Sequence, residues 1–233
     1  GFDGESISLF YRVVTAPEHV HDDLPLLVFL QGGPGGSGPR PLSPSSDGWI
    51  EEAIKHFRVV LPDQRGTGRS SRVDTHIMNH MDGMQGAAYL KHFLADSIVR
   101  DFEHLRRTEF GGKQWVTLGQ SYGGFLTLTY LSLFPGGVTA SFTTGGIPHV
   151  PADATDVYRH TFPRMARKTA QFYKRYPQDV ERAAIIADKL AAEPVSLSNG
   201  DPLTVERFQM LGSDFGMKPS FERVHWILDD AFL

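Results

Sequence analysis

The stretch that decides the fold is Gly119-Gln120-Ser121-Tyr122-Gly123, which lies between an apolar run at 115–118 and a longer one at 125–131. This order predicts a strand, a sharp turn with a serine at its apex, and a helix, which is the arrangement of a nucleophile elbow. Such a turn strains the serine backbone, and glycines two positions before and after it let the strand and the helix approach closely. Ser121 is therefore the candidate catalytic nucleophile, and a serine in an ordinary glycine-rich turn is the alternative.

Before residue 150, short apolar segments alternate with helical ones. Strands are predicted at 6–14, 26–30, 57–61, 116–118 and 140–144, and helices at 49–56 and 90–107. The second helix has an apolar stripe at 90, 94, 98, 102 and 105, and its charged residues, Glu103 among them, are expected on the solvent side. Strands that alternate with helices predict a parallel sheet covered by helices on both faces.

The pattern changes after Pro148-His149-Val150-Pro151. The rest of the chain carries little strand signal and several helical patterns, such as 179–192 and 221–232. Pro163 is expected to break or kink the first helix of this region, which precedes 179–192. Asn199-Gly200 is typical of a tight hairpin turn. We therefore predict two domains, an α/β domain over 1–150 and a mostly helical domain over 151–233.

Composition limits the class of protein. The 233 residues are 40% hydrophobic, which is enough for a well-buried core, and they contain no cysteine for disulfides or thiolate metal sites. The net charge of −4 gives no reason to expect nucleic acid or an anionic membrane as a partner. The longest fully apolar run, 26–30, is too short to span a membrane, and no charged-then-apolar leader precedes it. We expect a soluble cytoplasmic protein, with a leader removed before Gly1 as the alternative.

A second motif, the glycine loop, is Gln31-Gly32-Gly33-Pro34-Gly35-Gly36-Ser37-Gly38-Pro39-Arg40, and it follows a predicted strand. Acyl transfer develops negative charge on an oxygen, and backbone N–H groups of such a loop can stabilise it. In the elbow architecture one donor is the N–H after the nucleophile, here Tyr122, and the other comes from a loop of this kind. We choose Gly33 as the second donor, with Gly32 as the fallback. A phosphate-binding loop is disfavoured, because the Gly-Lys-Ser/Thr ending is absent and Pro34 lacks an N–H group.

A third motif, the Asp63 turn, is Asp63-Gln64-Arg65-Gly66-Thr67-Gly68-Arg69-Ser70, just after the strand predicted at 57–61. Its acid and two arginines have two interpretations. They are able to hold a substrate carboxylate, or to brace a tight turn through bonds between side chains and backbone. Bracing is the favoured interpretation.

In this order, the glycine loop, the Asp63 turn and the elbow resemble the hallmarks of the prolyl aminopeptidase (proline iminopeptidase) family of α/β-hydrolases. Gln31 departs from the histidine common at that position, which matters little because the backbone acts there. The resemblance implies an α/β-hydrolase core sheet, incomplete in this chain, with a mostly helical cap insertion. It also implies a serine exopeptidase that releases N-terminal proline from small peptides and needs no metal or organic cofactor. Ser121 would be the nucleophile, and Gly33 and Tyr122 would form the oxyanion hole.

The resemblance further implies a catalytic acid and a histidine after the serine, in that chain order. The histidines after Ser121 are His149, His160 and His225, and each is interpreted as a surface or packing residue. Both catalytic partners, and the cap acids that hold the substrate's amino group, are therefore expected beyond Leu233, so residues 1–233 alone are expected to lack turnover. The alternatives are another capped α/β-hydrolase, such as an amidase or esterase, and a non-catalytic binding protein on a hydrolase scaffold.

Overall fold

The structure is a computed structural model that describes residues 6–43, 45, 48–151 and 153–232. The chain divides into two compact units, the first ending at Pro148 and the second beginning at His149. In its described residues the first unit contains a five-stranded sheet, and the second is built mainly of helices.

The first unit alternates strands with helices, as the apolar pattern predicts. Its elements are β1 (Tyr11–Val14), β2 (Leu26–Leu30), α1 (Gly48–Ala53), β3 (Arg58–Pro62), α2 (Thr75–Met78), α3 (Gly83–Leu90), α4 (Ala95–Glu109), β4 (Trp115–Gln120), α5 (Tyr122–Leu133) and β5 (Val138–Thr144). The strand order is β1-β3-β2-β4-β5. Strands β3, β2, β4 and β5 run parallel, whereas β1 is antiparallel to β3. The predicted parallel sheet is confirmed, with an antiparallel strand added at one edge.

The central strand β2 explains how the sheet is covered on both faces. All five of its residues are buried, and successive side chains point to opposite faces. Leu26, Val28 and Leu30 pack in an apolar cluster with Ile98 and Phe102 of α4. Leu27 and Phe29, which point to the other face, belong to a different cluster that includes Ile50 of α1. A continuous apolar run is therefore what this doubly covered strand requires.

The long helix expected at 90–107 is interrupted. Helix α3 ends at Leu90, a 3₁₀ turn covers Lys91–Phe93, and Leu94 has an extended backbone before α4 begins. Of the predicted stripe, the residues on α4 are buried, while Leu90 and Leu94 are exposed because they lie before α4 begins. The strand expected at 6–14 is also shorter, since β1 covers only its last four residues.

The expectation that Glu103 lies on the solvent side is wrong. Its residue surface is only 4% exposed, and its carboxylate accepts hydrogen bonds from Arg106 and from the Tyr130 hydroxyl of α5. A buried carboxylate needs such partners, and one of them comes from another helix. The periodicity of α4 alone could not reveal it.

The second unit has its own apolar core. Its helices are α6 (Ala154–Arg175), α7 (Asp179–Ala192), α8 (Val205–Gln209) and α9 (Phe221–Asp230), with a 3₁₀ segment at Met210–Gly216. Phe172, Phe215, Val224 and Leu228 form the buried cluster. Helix α6 continues through Pro163, so of the predicted break or kink the break is wrong. The helix is exposed there, and water can bond the carbonyl that proline leaves free.

Two further observations concern the second unit and the chain as a whole. Ser196 and Pro202 form an antiparallel bridge around Asn199-Gly200, and Gly200 has a φ of 87°, as expected for a tight hairpin turn. Within the described part of the chain, no helix is both long and apolar enough to cross a lipid bilayer.

Candidate active site

The three motifs meet because the strands that precede them end at one edge of the sheet. Leu30 at the end of β2 pairs in register with Gly119 of β4, and Val28 pairs with Val60 of β3. The carboxyl ends of parallel strands lie at the same edge, which is where ligands bind in open α/β sheets. The glycine loop, the Asp63 turn and the elbow therefore begin side by side.

Ser121 is the single residue between β4 and α5, and its backbone is strained. Its φ of 55° and ψ of −118° make it the one non-glycine residue with positive φ in the described ranges. Its N–H donates to the Thr144 carbonyl at 2.9 Å, and its own carbonyl accepts from the Gly124 N–H at 2.9 Å. Strain of this kind persists only when the surrounding structure imposes it, and it is concentrated at functional sites.

Glycines around Ser121 allow three backbone segments to approach closely. A Cβ on Gly119 would lie 2.3 Å from the Gly123 carbonyl oxygen, and a Cβ on Gly123 would lie 1.9 Å from the Leu30 carbonyl oxygen. Likewise, a Cβ on Gly146 would lie 1.8 Å from the Ser121 carbonyl oxygen. The roles of Gly119 and Gly123 follow from their spacing around Ser121, whereas the signal for Gly146 is the glycine pair 145–146 directly after the strand predicted at 140–144.

The glycine loop passes directly against the serine side chain. A Cβ on Gly32 would lie 2.9 Å from Ser121 Cβ and 3.5 Å from Ser121 Oγ, so only glycine fits at this position. The next residue, Gly33, has a φ of 116°, a conformation that other residues rarely adopt. The structure thus places Gly32, the fallback donor, against the elbow, and Gly33 is the next residue of the loop.

Tyr122 is the first residue of α5, and helix starts leave backbone N–H groups without an intrahelical acceptor. Its N–H directly follows the candidate nucleophile, which is the position of an oxyanion donor. The Tyr122 ring stacks on Phe125 with centroids 5.6 Å apart. Burial, together with the charge of Asp96, raises the pKa of the Tyr122 hydroxyl above its ordinary value, so this side chain is neutral at physiological pH.

Asp63 braces the far end of the glycine loop. Its carboxylate is fully buried, accepts the Gly38 N–H at 2.9 Å and the Arg69 N–H at 2.8 Å, and is ion-paired with Arg40. Burial opposes the charged form, but the Arg40 ion pair and the two N–H groups outweigh it and hold the Asp63 pKa below its usual value. Asp63 therefore remains a carboxylate well below neutral pH.

The arginines of the Asp63 turn are also occupied. Arg65 Nε donates to Asp101 Oδ2 at 2.6 Å, and Arg65 Nη1 donates to the His92 carbonyl at 2.7 Å. Arg69 lies over the Phe10 ring, 4.4 Å from its centroid. These contacts support bracing, because Arg65 is committed to Asp101 and to the His92 carbonyl.

The histidines that follow the elbow all lie in the second unit: His149, His160 and His225. His149 Nε2 is 2.9 Å from Asp156 Oδ2, and His225 Nδ1 is 2.8 Å from the buried Asp179 Oδ2. Each of these two histidines therefore has an acidic partner within the second unit. Within the first unit, the structure therefore brings together Ser121, Gly32 and Tyr122, and Gly33 follows Gly32 in the chain.

Comparison with known proteins gives a consistent result. The family model described as alpha/beta hydrolase fold matches residues 25–230. The chain is 44% identical to a proline iminopeptidase of Aeromonas sobria, over 99% of this chain and 54% of the relative. It is 34% identical to a proline iminopeptidase of Aspergillus aculeatus, over 97% of this chain and 51% of the relative. A solved structure, of a proline iminopeptidase-related protein from Thermus thermophilus, is 25% identical with a TM-score of 0.41, over 58% of this chain and 39% of that chain.

The chain thus spans about half the length of the curated relatives it matches. The matched residues include β2 to β5, the elbow and the second unit. The family model covers most of the chain, and the resemblance stated from the three motifs is confirmed by the two relatives. The chain belongs to the α/β-hydrolase fold family, in which its sequence is similar to the proline iminopeptidases.

Proposed function

We propose that the whole protein is a serine exopeptidase that releases N-terminal proline from small peptides through an acyl-enzyme intermediate. The observation that carries this proposal is the strained Ser121 at the end of β4, with the glycine loop packed against its side chain. Similarity to proline iminopeptidases over nearly the whole chain supports the choice of substrate.

The chemistry follows from the groups at the elbow. Ser121 Oγ attacks the carbonyl of the N-terminal prolyl residue, and a histidine expected beyond Leu233 takes the hydroxyl proton. The N–H groups of Gly33 and Tyr122, with Gly32 as the alternative loop donor, stabilise the negative oxygen of the tetrahedral intermediate. The peptide C–N bond then breaks, and the leaving amine takes the proton from the histidine. Water hydrolyses the prolyl ester, which releases proline and restores the serine.

Several finer assignments belong to the same proposal. Residues 1–150 would be the hydrolase core, and 151–233 would be part of a helical cap. The reaction as written needs a serine, a base and an acid, so no metal or organic cofactor is required. Small peptides are the proposed substrates by similarity to the proline iminopeptidases, and the net charge of −4 gives no reason to expect nucleic acid or an anionic membrane as a partner. We also propose a cytoplasmic location.

The test replaces Ser121 in the protein expressed from its complete gene. Ser121→Ala is expected to abolish both the release of aniline from a proline anilide and labelling by a serine-directed fluorophosphonate. The matched control is Ser132→Ala, because Ser132 lies on α5 and is exposed, and its hydroxyl only bonds the Leu128 carbonyl. The control is expected to keep both signals.

The outcomes separate the alternatives. Labelling that persists in Ser121→Ala would show that Ser121 is not the nucleophile. A wild-type protein that is labelled but prefers an ester or a non-proline amide over the proline anilide would be another capped hydrolase. A wild-type protein that is neither labelled nor active would favour a binding function on this scaffold.

A further inference from the structure

We propose that Gln64 is a positioning residue that fixes the glycine loop for oxyanion binding. The inference rests on the proposed function, since it assigns a role in the same site. Gln64 follows Asp63 at the end of β3 and is 1% exposed. Its Nε2 donates a hydrogen bond of 2.7 Å to the Gln31 carbonyl, at the first residue of the glycine loop.

This hydrogen bond fixes the direction of a candidate oxyanion donor. The Gln31 carbonyl and the Gly32 N–H belong to one planar peptide unit, and in a trans peptide they point in opposite directions. Holding the carbonyl toward Gln64 therefore turns the Gly32 N–H away from Gln64. It also fixes the plane of the Gln31–Gly32 peptide, and this plane sets the direction in which the chain continues to Gly33. Gly32 lies against Ser121 at this point.

The loop needs such external support because it has little of its own. Gly33 and Gly35 have positive φ values of 116° and 97°, and glycine backbones are free to adopt many other conformations. Pro34 and Gly35 border a cavity of about 380 Å³, so packing supplies little restraint on that side. Asp63 holds the far end of the loop through the Gly38 N–H. The dipeptide 63–64 therefore anchors both ends.

Gln64 is a poor choice for stability alone. Its Oε1 is buried and has no hydrogen-bond partner among the described residues. An unpaired buried amide oxygen disfavours the folded state, so an apolar side chain of similar length would suit the fold at least as well. The feature that an apolar residue cannot reproduce is the bond to the Gln31 carbonyl.

The test compares Gln64→Met, which keeps the length but lacks the donor, with Thr67→Val in the protein expressed from its complete gene. Thr67 is a matched control, because it is 7% exposed in the same turn and its hydroxyl bonds the Gln64 carbonyl rather than the loop. Gln64→Met is expected to lower kcat on a proline anilide by about 10- to 100-fold, because losing one oxyanion donor outright costs about 10²–10³. KM is expected to stay within about threefold. The substitution removes the unpaired Oε1 but also takes the donor from the Gln31 carbonyl, so the two effects oppose each other and the melting temperature is expected to change little.

Two inhibitors distinguish positioning from a merely structural role. Prolinal forms a tetrahedral adduct with a serine and places an oxygen in the oxyanion hole, whereas prolinol binds without such an adduct. Gln64→Met is expected to weaken the binding of prolinal by the same factor by which it lowers kcat, and to leave the binding of prolinol unchanged. Thr67→Val is expected to change the binding of neither inhibitor. A kcat within about threefold of wild type would overturn the inference. The inference would also be overturned if kcat fell while prolinol binding weakened by the same factor and the melting temperature dropped.

A failure of the proposed substrate leaves the inference testable. If the wild-type protein releases no proline but Ser121 reacts with a fluorophosphonate, the substrate assignment is wrong. The rate of that labelling then replaces kcat, because phosphonylation also places a negative oxygen against the loop N–H groups. Gln64→Met is expected to slow it by about 10- to 100-fold, and an unchanged labelling rate would overturn the role of Gln64.

Discussion

Replacing Glu103 by glutamine is expected to destabilise the first unit by about 3 kcal/mol at neutral pH. The buried carboxylate accepts two hydrogen bonds of 2.8 Å from Arg106, one of 2.7 Å from the Tyr130 hydroxyl and one of 2.6 Å from Arg107. It thereby ties α4 to α5, the helix that begins at the elbow. A glutamine amide directs N–H groups at some of these donors, so the network cannot be restored.

The magnitude follows from the pKa of the carboxyl group. Burial alone would raise it, but the bonds from Arg106, Tyr130 and Arg107 outweigh burial and lower the Glu103 pKa from 4.5 to about 2. The two pKa values differ by about 2.5, and each pKa unit corresponds to about 1.36 kcal/mol. The difference therefore stabilises the folded state by about 3 kcal/mol. Breaking a buried ion pair by removing one partner typically costs about 3–5 kcal/mol, which agrees with this figure.

The pH dependence has a definite sign. The folded-state pKa lies below the unfolded value, so the stabilisation by Glu103 is fully present above about pH 4.5 and is lost as the pH falls toward about 2. The difference in unfolding free energy between wild type and Glu103→Gln is therefore expected to shrink to about 2 kcal/mol at pH 3.5 and below about 1 kcal/mol at pH 2.5.

Urea unfolding can measure this difference through the fluorescence of Trp115, which is fully buried with its ring 6.2 Å from that of Tyr130. Glu109→Gln is the control, because Glu109 ends the same helix but is exposed, and its change is expected to stay within about 0.5 kcal/mol. A loss below about 1 kcal/mol at pH 7 for Glu103→Gln, or one that does not decrease with pH, would refute the reasoning.

Two further substitutions test the frame of the elbow and the core of the second unit. Gly123→Ala is expected to abolish fluorophosphonate labelling, since its Cβ would lie 1.9 Å from a backbone oxygen, whereas Gly136→Ala, with open space around it, should label normally. Equal labelling of the two variants would contradict the close approach. Phe172→Ala removes a side chain that is 1% exposed, and it is expected to lower the free energy of unfolding of the second unit by about 3–5 kcal/mol. Hydrogen exchange across α6 to α9 measures this change. Phe162→Ala, at a position 66% exposed, is expected to change the same free energy by about 0.5 kcal/mol or less. Similar losses in the two variants would count against the assigned core.

Local patterns were enough to predict the parts of the fold that depend on neighbouring residues. The continuous apolar run of β2 predicted a strand covered on both faces, and the spacing of Gly119 and Gly123 predicted the elbow. Both signals are short in sequence, because a strand and its turn contain the residues that determine them.

The contacts that escaped prediction join residues far apart in the sequence. Glu103 is buried because Tyr130 donates to it from a different helix, and Gln64 reaches Gln31 because β2 and β3 are parallel neighbours. Neither partner can be read from one segment, since each depends on strand order and register. The motifs therefore identified the residues of the candidate site more fully than the bonds that hold them.

The conformation of Ser121 depends on packing as well as hydrogen bonds. A strained backbone of this kind costs about 1–3 kcal/mol, and each net hydrogen bond contributes about 0.5–1.5 kcal/mol. The two bonds of Ser121, to Thr144 and Gly124, therefore contribute about 1–3 kcal/mol together, which matches the strain but leaves no margin. A net preference for this conformation must come from the close packing that Gly123 and Gly146 permit, against the end of β2 and against Ser121 itself. Since all these contacts lie within the first unit, the sheet and α5 position the nucleophile before any base or substrate is present.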